Sequence, residues 1–148
     1  MPSGRRHRRI GRPTGAAFAA IQAFRSPIGD PLVESFAGWC GGDLGSRLPD
    51  LLEPACWNHR QTAHSFTTGA LLGLSVDKVQ SWAESARRRA QHHRQLATNP
   101  EALPAQSLWH SSVALLWSAL AGLLNGILAG YLSHLVLDAC SPASIPIF

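Results

Sequence analysis

Residues 113–132 are the most hydrophobic stretch of the chain, and only two small polar residues, Ser118 and Asn125, interrupt it. About twenty apolar residues in one helix match the hydrocarbon thickness of a bilayer, so the segment is predicted to be a long apolar helix that crosses a membrane. Trp109 and Trp117 near one end and Tyr131 near the other fit interfacial anchors. The competing reading of the same residues is a core helix buried by the rest of the bundle.

The remainder of the chain agrees with helices. Of its 148 residues 45% are hydrophobic, and these are mostly Ala, Leu and Gly rather than the β-branched and aromatic residues that favour strands. That composition predicts an all-α fold, a compact bundle of four to five helices in a single domain over residues 13–148, preceded by a basic arm over residues 1–12. Three cysteines, Cys40, Cys56 and Cys140, are an odd number without paired spacing, which suits a reducing compartment or simple burial. Cys56 lies near His59, but a lone cysteine there reads as structural and stays outside the site.

The net charge of +4 is unevenly placed. Arg5, Arg6, Arg8, Arg9 and Arg12 crowd the N-terminal region, and Lys78, Arg87, Arg88, Arg89 and Arg94 form a second cluster. Both read as solvated runs that set topology or face anionic lipid. Nucleic acid ranks behind lipid as a partner, because neither aromatic interleaving nor a recognisable nucleic-acid module accompanies the basic residues. The basic start followed by the apolar run 15–24 also looks like a short targeting segment. Arg25 and Pro27 follow it without a small-residue cleavage site, so it is read as retained.

Punctuation divides the chain into elements. Pro13 suits a first helical turn, and helix is expected over 14–24, ended by Pro27, Gly29 and Pro31. A second helix runs from Leu32 towards Arg47 and stops at Pro49. Its glycines, Gly38, Gly41, Gly42 and Gly45, suit close packing against another helix. Asn58 is an N-cap for a helix from His59 or Arg60 that carries His64 and pauses near Gly73 to Ser75. A charged, amphipathic stretch, 76–97, follows it. Asn99, Pro100 and Pro104 make the loop before the apolar segment. Neither an internal repeat nor a glycine-rich phosphate loop is present, which excludes the common nucleotide-binding classes.

Three short groups place charge or imidazole inside apolar, helix-forming sequence. His134 and Asp138 are four apart, hence separated by about 40° and one turn of a helix. They can share an ion, or Asp138 can orient the imidazole from behind; a plain His–Asp ion pair at a helix end uses the same spacing. Asp50 and Glu53 share a side of any turn after Pro49, although carboxylates at a helix start also answer the helix dipole. His59 and His64 are five apart and would diverge by about 140° on a continuous helix, so a shared centre needs His59 at the helix start. Arg60 is placed to pair with a carboxylate or an anionic substrate group, while a core His64 with an exposed His59 is the alternative. His92, His93 and His110 are assigned to the surface or an interface. His7 is followed by Gly11 and Gly15 at four-residue steps that let a helix pack closely.

Taken in order, Gly45, Leu48-Pro49-Asp50, Glu53-Pro54, Asn58-His59-Arg60, His64-Ser65, then Gly130 to His134 and Asp138, resemble the YdjM-like family of membrane-bound metal-dependent hydrolases. The resemblance runs from about Gly45 to Pro146 without a matching motif over 76–112, and His7 with Gly11 and Gly15 looks like that family's N-terminal start. It implies a helical protein of the bacterial inner membrane with a divalent-metal centre. Its ligands map onto Asp50, His64, His134 and Asp138, with His7, His59 and Glu53 as further candidates. Two departures stand out: Leu52 replaces the family's second acidic residue, with Glu53 beside it, and the sequence stops at Phe148 where relatives continue.

The expected chemistry is ester or phosphoester hydrolysis. A divalent ion, zinc first and manganese or magnesium as alternatives, would activate water. Glu53 or His59 would accept the proton and Arg60 would stabilise the anion. The expected partners are membrane lipid and a small-molecule or lipid-derived substrate. The rival reading is a non-catalytic membrane protein whose His/Asp cluster docks helices and whose basic segments bind a protein partner or anionic lipid.

Overall fold

The computed structural model describes residues 4–49 and 66–140. Within them are four helices, α1 (Gly4–Arg25), α2 (Pro31–Gly45), α3 (Phe66–Ala97) and α4 (Pro104–Ala139), and no strand among the described residues. The all-α bundle predicted from composition is the observed fold.

Glycine decides how the first half packs. Gly42 on α2 lies against the backbone of Gly11 and Gly15 on α1, and Gly130 on α4 lies against the backbone of Gly42. One turn along, Gly38 abuts Gly15 and Ala19, and Gly126 abuts Gly38. α2 is therefore clasped on two sides, by α1 and α4, at backbone-to-backbone distance. The small residues at 11, 15, 19 and 23 on α1 and at 122, 126 and 130 on α4 recur every four positions, which keeps them on one stripe of each helix.

The start of α2 is capped more fully than the sequence suggested. The Val33 N–H donates to Asp30 Oδ1 at 3.2 Å, the Asp30 N–H donates to Glu34 Oε1 at 3.2 Å, and Pro31 fills the first helical position.

α3 runs antiparallel to α4, and polar contacts fix its register. Gln80 Nε2 donates to Asn125 Oδ1 (2.9 Å), the Arg89 guanidinium sits 4.7 Å over the Trp117 ring, and Ser107 Oγ donates to the Ala97 carbonyl (2.6 Å). Between them Ala83, Ala86 and Ala121 form a small apolar core beside Trp117. The two interruptions of the apolar segment thus have partners: Asn125 takes Gln80, and Ser118 accepts from Arg94 Nη2 at 2.8 Å.

Three sequence readings need correction. The basic arm is not separate from helix one, because α1 begins at Gly4 and runs through Pro13. Proline deprives the Arg9 carbonyl of its intrahelical donor, but the close fit of Gly11 and Gly15 on α2 holds the helix on both sides of it. The pause at Gly73 to Ser75 is absent, since α3 is continuous. The second basic cluster is not simply solvated: Arg87 is buried and clasps buried Glu34 through Nε (3.0 and 3.1 Å) and Nη2 (2.7 Å), with Glu84 at 3.2 Å, while Arg94 reaches Asp30 at 3.0 Å.

α4 is long and apolar enough to cross a membrane, and half of its most apolar part is buried by the other helices. Leu108, Trp109, Leu115, Leu116 and Val136 remain exposed on it, as do Leu32, Phe36, Trp39 and Leu44 on α2.

Candidate metal centre

The glycine stripes lead to the site. On α1 the four-residue series continues back from Gly15 and Gly11 to His7; on α4 it continues forward from Gly130 to His134 and Asp138. Because both stripes press on α2, their next turns converge just beyond its C-terminal end, at Gly45. His7 and His134 are almost fully buried there, with side chains 4% and 1% exposed, whereas Asp138 keeps 21% of its side chain in solvent.

The ligand atoms converge closely. His134 Nε2 lies 3.0 Å from Asp138 Oδ2, and His7 Nε2 lies 3.5 Å from Asp138 Oδ1. The two imidazole rings stack with centroids 4.0 Å apart and planes 21° from parallel. One ligand atom from each residue fits within a 4.8 Å spread. Bonds of about 2.0–2.1 Å to a four-coordinate ion place neighbouring ligand atoms about 3.3 Å apart, close to the two imidazole–carboxylate separations, whereas the full 4.8 Å spread would have to close for all three residues to share one ion.

His134 is held in the tautomer such a centre requires. Its Nδ1 is 2.7 Å from the Ser46 carbonyl, which only accepts, so Nδ1 carries the proton and donates. Nε2 faces the Asp138 carboxylate at 3.0 Å, a contact that either a proton on Nε2 or a metal ion held between the two atoms satisfies. Ser46 supplies this carbonyl because α2 has just ended and its last carbonyls lack intrahelical donors. A backbone group orienting a metal-ligating imidazole is the usual outer-shell arrangement. The Ser46 carbonyl thus occupies Nδ1, and Asp138 faces the other ring nitrogen.

Beside the centre, one carboxylate gathers three guanidiniums. Asp43 accepts from Arg8 Nε (2.9 Å), Arg12 Nε (2.9 Å) and Arg47 Nη2 (2.6 Å). Partial burial pushes the Asp43 carboxyl up, but the hydrogen bonds from Arg8 and Arg12 and the charge of Arg47 outweigh it and hold the pKa below the ordinary value. Arg8 follows His7 in the chain and Arg47 follows Ser46, so this positively charged cluster borders the site.

Of the residues singled out in the sequence, His7, His134 and Asp138 come together. Asp50, Glu53, His59, Arg60 and His64 lie outside the described residues. Sequence reasoning missed Ser46, which acts through its backbone and has no side-chain signal, and the Asp43 cluster. It also left unused the Gly122, Gly126, Gly130, His134, Asp138 series, a stripe that points from the packing seam to the ligands.

No protein-family model, curated protein or solved structure compared with the chain matches it.

Proposed function

We propose that the chain is a membrane-associated metal-dependent hydrolase acting on an ester or phosphoester, in line with the YdjM-like resemblance of its motifs. The observation that carries the reading is the convergence of two buried imidazoles and a carboxylate, His7, His134 and Asp138, with the Ser46 carbonyl fixing one ring. Zinc suits two imidazoles with a carboxylate, and manganese or magnesium are the alternatives. When bound, such an ion lowers the pKa of water to near neutrality.

The chain's own residues supply the rest. Asp138, the solvent-reaching member, defines the side from which substrate approaches. The Arg8, Arg12 and Arg47 cluster carries more positive charge than Asp43 cancels, which favours an anionic substrate such as a phosphoester. Asp50 and His64 are assigned as further ligands, Glu53 or His59 as proton acceptor and Arg60 as anion stabiliser. α4 supplies the membrane association, with the bacterial inner membrane as the location and a lipid-derived ester as a natural substrate.

The test is metal content and turnover after purification in detergent. Wild type should hydrolyse an aryl phosphodiester with zinc or manganese. His134→Asn, folded by circular dichroism, should lose one metal equivalent and at least about 100-fold in rate. Equal metal content in both proteins would sink the assignment.

One observation favours a second reading. His7 and His134 are nearly sealed from solvent, as in a cluster that docks α1 against α4. In that case zinc raises the unfolding temperature of wild type without any turnover.

A further inference from the structure

At the opposite end of α4, two histidines from different helices meet. His93 Nδ1 on α3 lies 3.0 Å from His110 Nδ1 on α4, with ring centroids 5.2 Å apart. Both are half-buried, and exposed His92 stands beside them at 5.6 Å from the His93 ring. The pair is a rung of the α3–α4 ladder, set between the Ser107–Ala97 hydrogen bond on one side and the Arg89–Trp117 contact on the other. Its position is therefore fixed by neighbours above and below. His110 and His134 are 24 residues apart on one helix, about 36 Å, so nothing at this end belongs to the centre described above.

We infer that His93 and His110 form a second metal site, which takes a borderline transition ion, Cu(II), Ni(II) or Zn(II), through two imidazole nitrogens and clamps α3 to α4 near their connecting loop. Two nitrogens 3.0 Å apart match neighbouring positions around an ion with bonds of about 2.0–2.1 Å. Imidazole suits these ions, and the affinity order places copper above nickel and zinc. Partial burial and the neighbouring His110 and His92 hold the His93 pKa below its ordinary value. With only two protein ligands the remaining positions fall to water, and the half-exposed setting leaves the ion open to exchange.

The experiment titrates the full-length protein in detergent with CuCl2 and, separately, ZnCl2, comparing wild type with His93→Ala, His110→Ala and His134→Asn. Wild type should bind about one equivalent more than either His93→Ala or His110→Ala. The Cu(II) spectrum of that equivalent should show nitrogen hyperfine structure, and Zn(II) should raise the unfolding temperature of wild type more than that of His110→Ala. His134→Asn should keep this equivalent, which separates the failure of this site from the failure of the proposed catalytic one. Unchanged stoichiometry in both His93→Ala and His110→Ala, with helicity retained, overturns the proposal. So does a wild-type pair that titrates with protons but shows no metal-nitrogen signal, because two imidazoles sharing a proton would then explain the short contact.

Discussion

At the scale of the residue, the most demanding feature is the ion pair between Glu34 and Arg87. Both side chains are almost wholly out of water, and Arg87 uses Nε and Nη2 together on one carboxylate. Removing one partner leaves a desolvated charge, which costs about 3–5 kcal/mol, whereas replacing both with apolar residues of similar volume is often neutral. Glu34→Gln or Arg87→Met alone should therefore lower chemical-denaturation stability strongly, and the Glu34→Leu/Arg87→Met double variant should recover most of it. Nothing in the one-dimensional pattern distinguishes Arg87 from Arg88, which is exposed. The residue that makes Arg87 different, Glu34, is 53 positions away on another helix.

At the scale of the element, α2 is a spacer of minimal thickness. A Cβ at Gly42 would collide with the backbone of Gly11, so a side chain there must push α1 outward. Gly42→Leu should destabilise by at least about 1–3 kcal/mol. It should also weaken metal binding at His7 and His134, because the two ligands ride on the helices that Gly42 holds together. Ala17→Leu, on the exposed face of α1, should change stability by less than about 0.5 kcal/mol. Thermal unfolding with and without zinc checks both. Much of this was legible: the glycine spacing in 38–45 and the 7, 11, 15 series predicted close packing, and the His134–Asp138 spacing predicted a shared face. The helix boundaries were less so. Pro13 and Gly73 are breakers by propensity, yet helix continues through both, and at Pro13 it reflects the packing of Gly11 and Gly15 that a local reading lacks. The junction of His7 with His134 was implied only by resemblance, since local spacing says nothing about which distant helices meet.

At the scale of the whole molecule, charge and pH act through the Asp43 cluster, where Arg8 and Arg12 from α1 and Arg47 from the end of α2 face one carboxylate. The folded pKa of Asp43 is lowered, so its contribution to stability is fully present above the unfolded carboxylate value of about 3.9. That contribution disappears as pH falls from there through the folded value. Wild type should thus lose more stability than Asp43→Asn over the interval below about pH 4, and the two profiles should run parallel between pH 5 and 7 as far as this group is concerned. Unfolding curves of both proteins across that range check the sign.

The order in which His7, His134 and Asp138 occur along the chain carries a consequence for biogenesis. His7 belongs to the first helix and His134 and Asp138 to the last turns of α4, while the carbonyl that orients His134 belongs to α2. During synthesis the first two helices can associate through their glycines long before α4 is translated, since chains form native units from the N-terminal side. The grouping of His7 with His134 and Asp138 does not exist at that stage. If the group holds a metal, its loading is a late event, because a nascent chain that lacks the end of α4 has neither His134 nor Asp138 to place beside His7. Metal held by this group would consequently report that the terminal helix is seated.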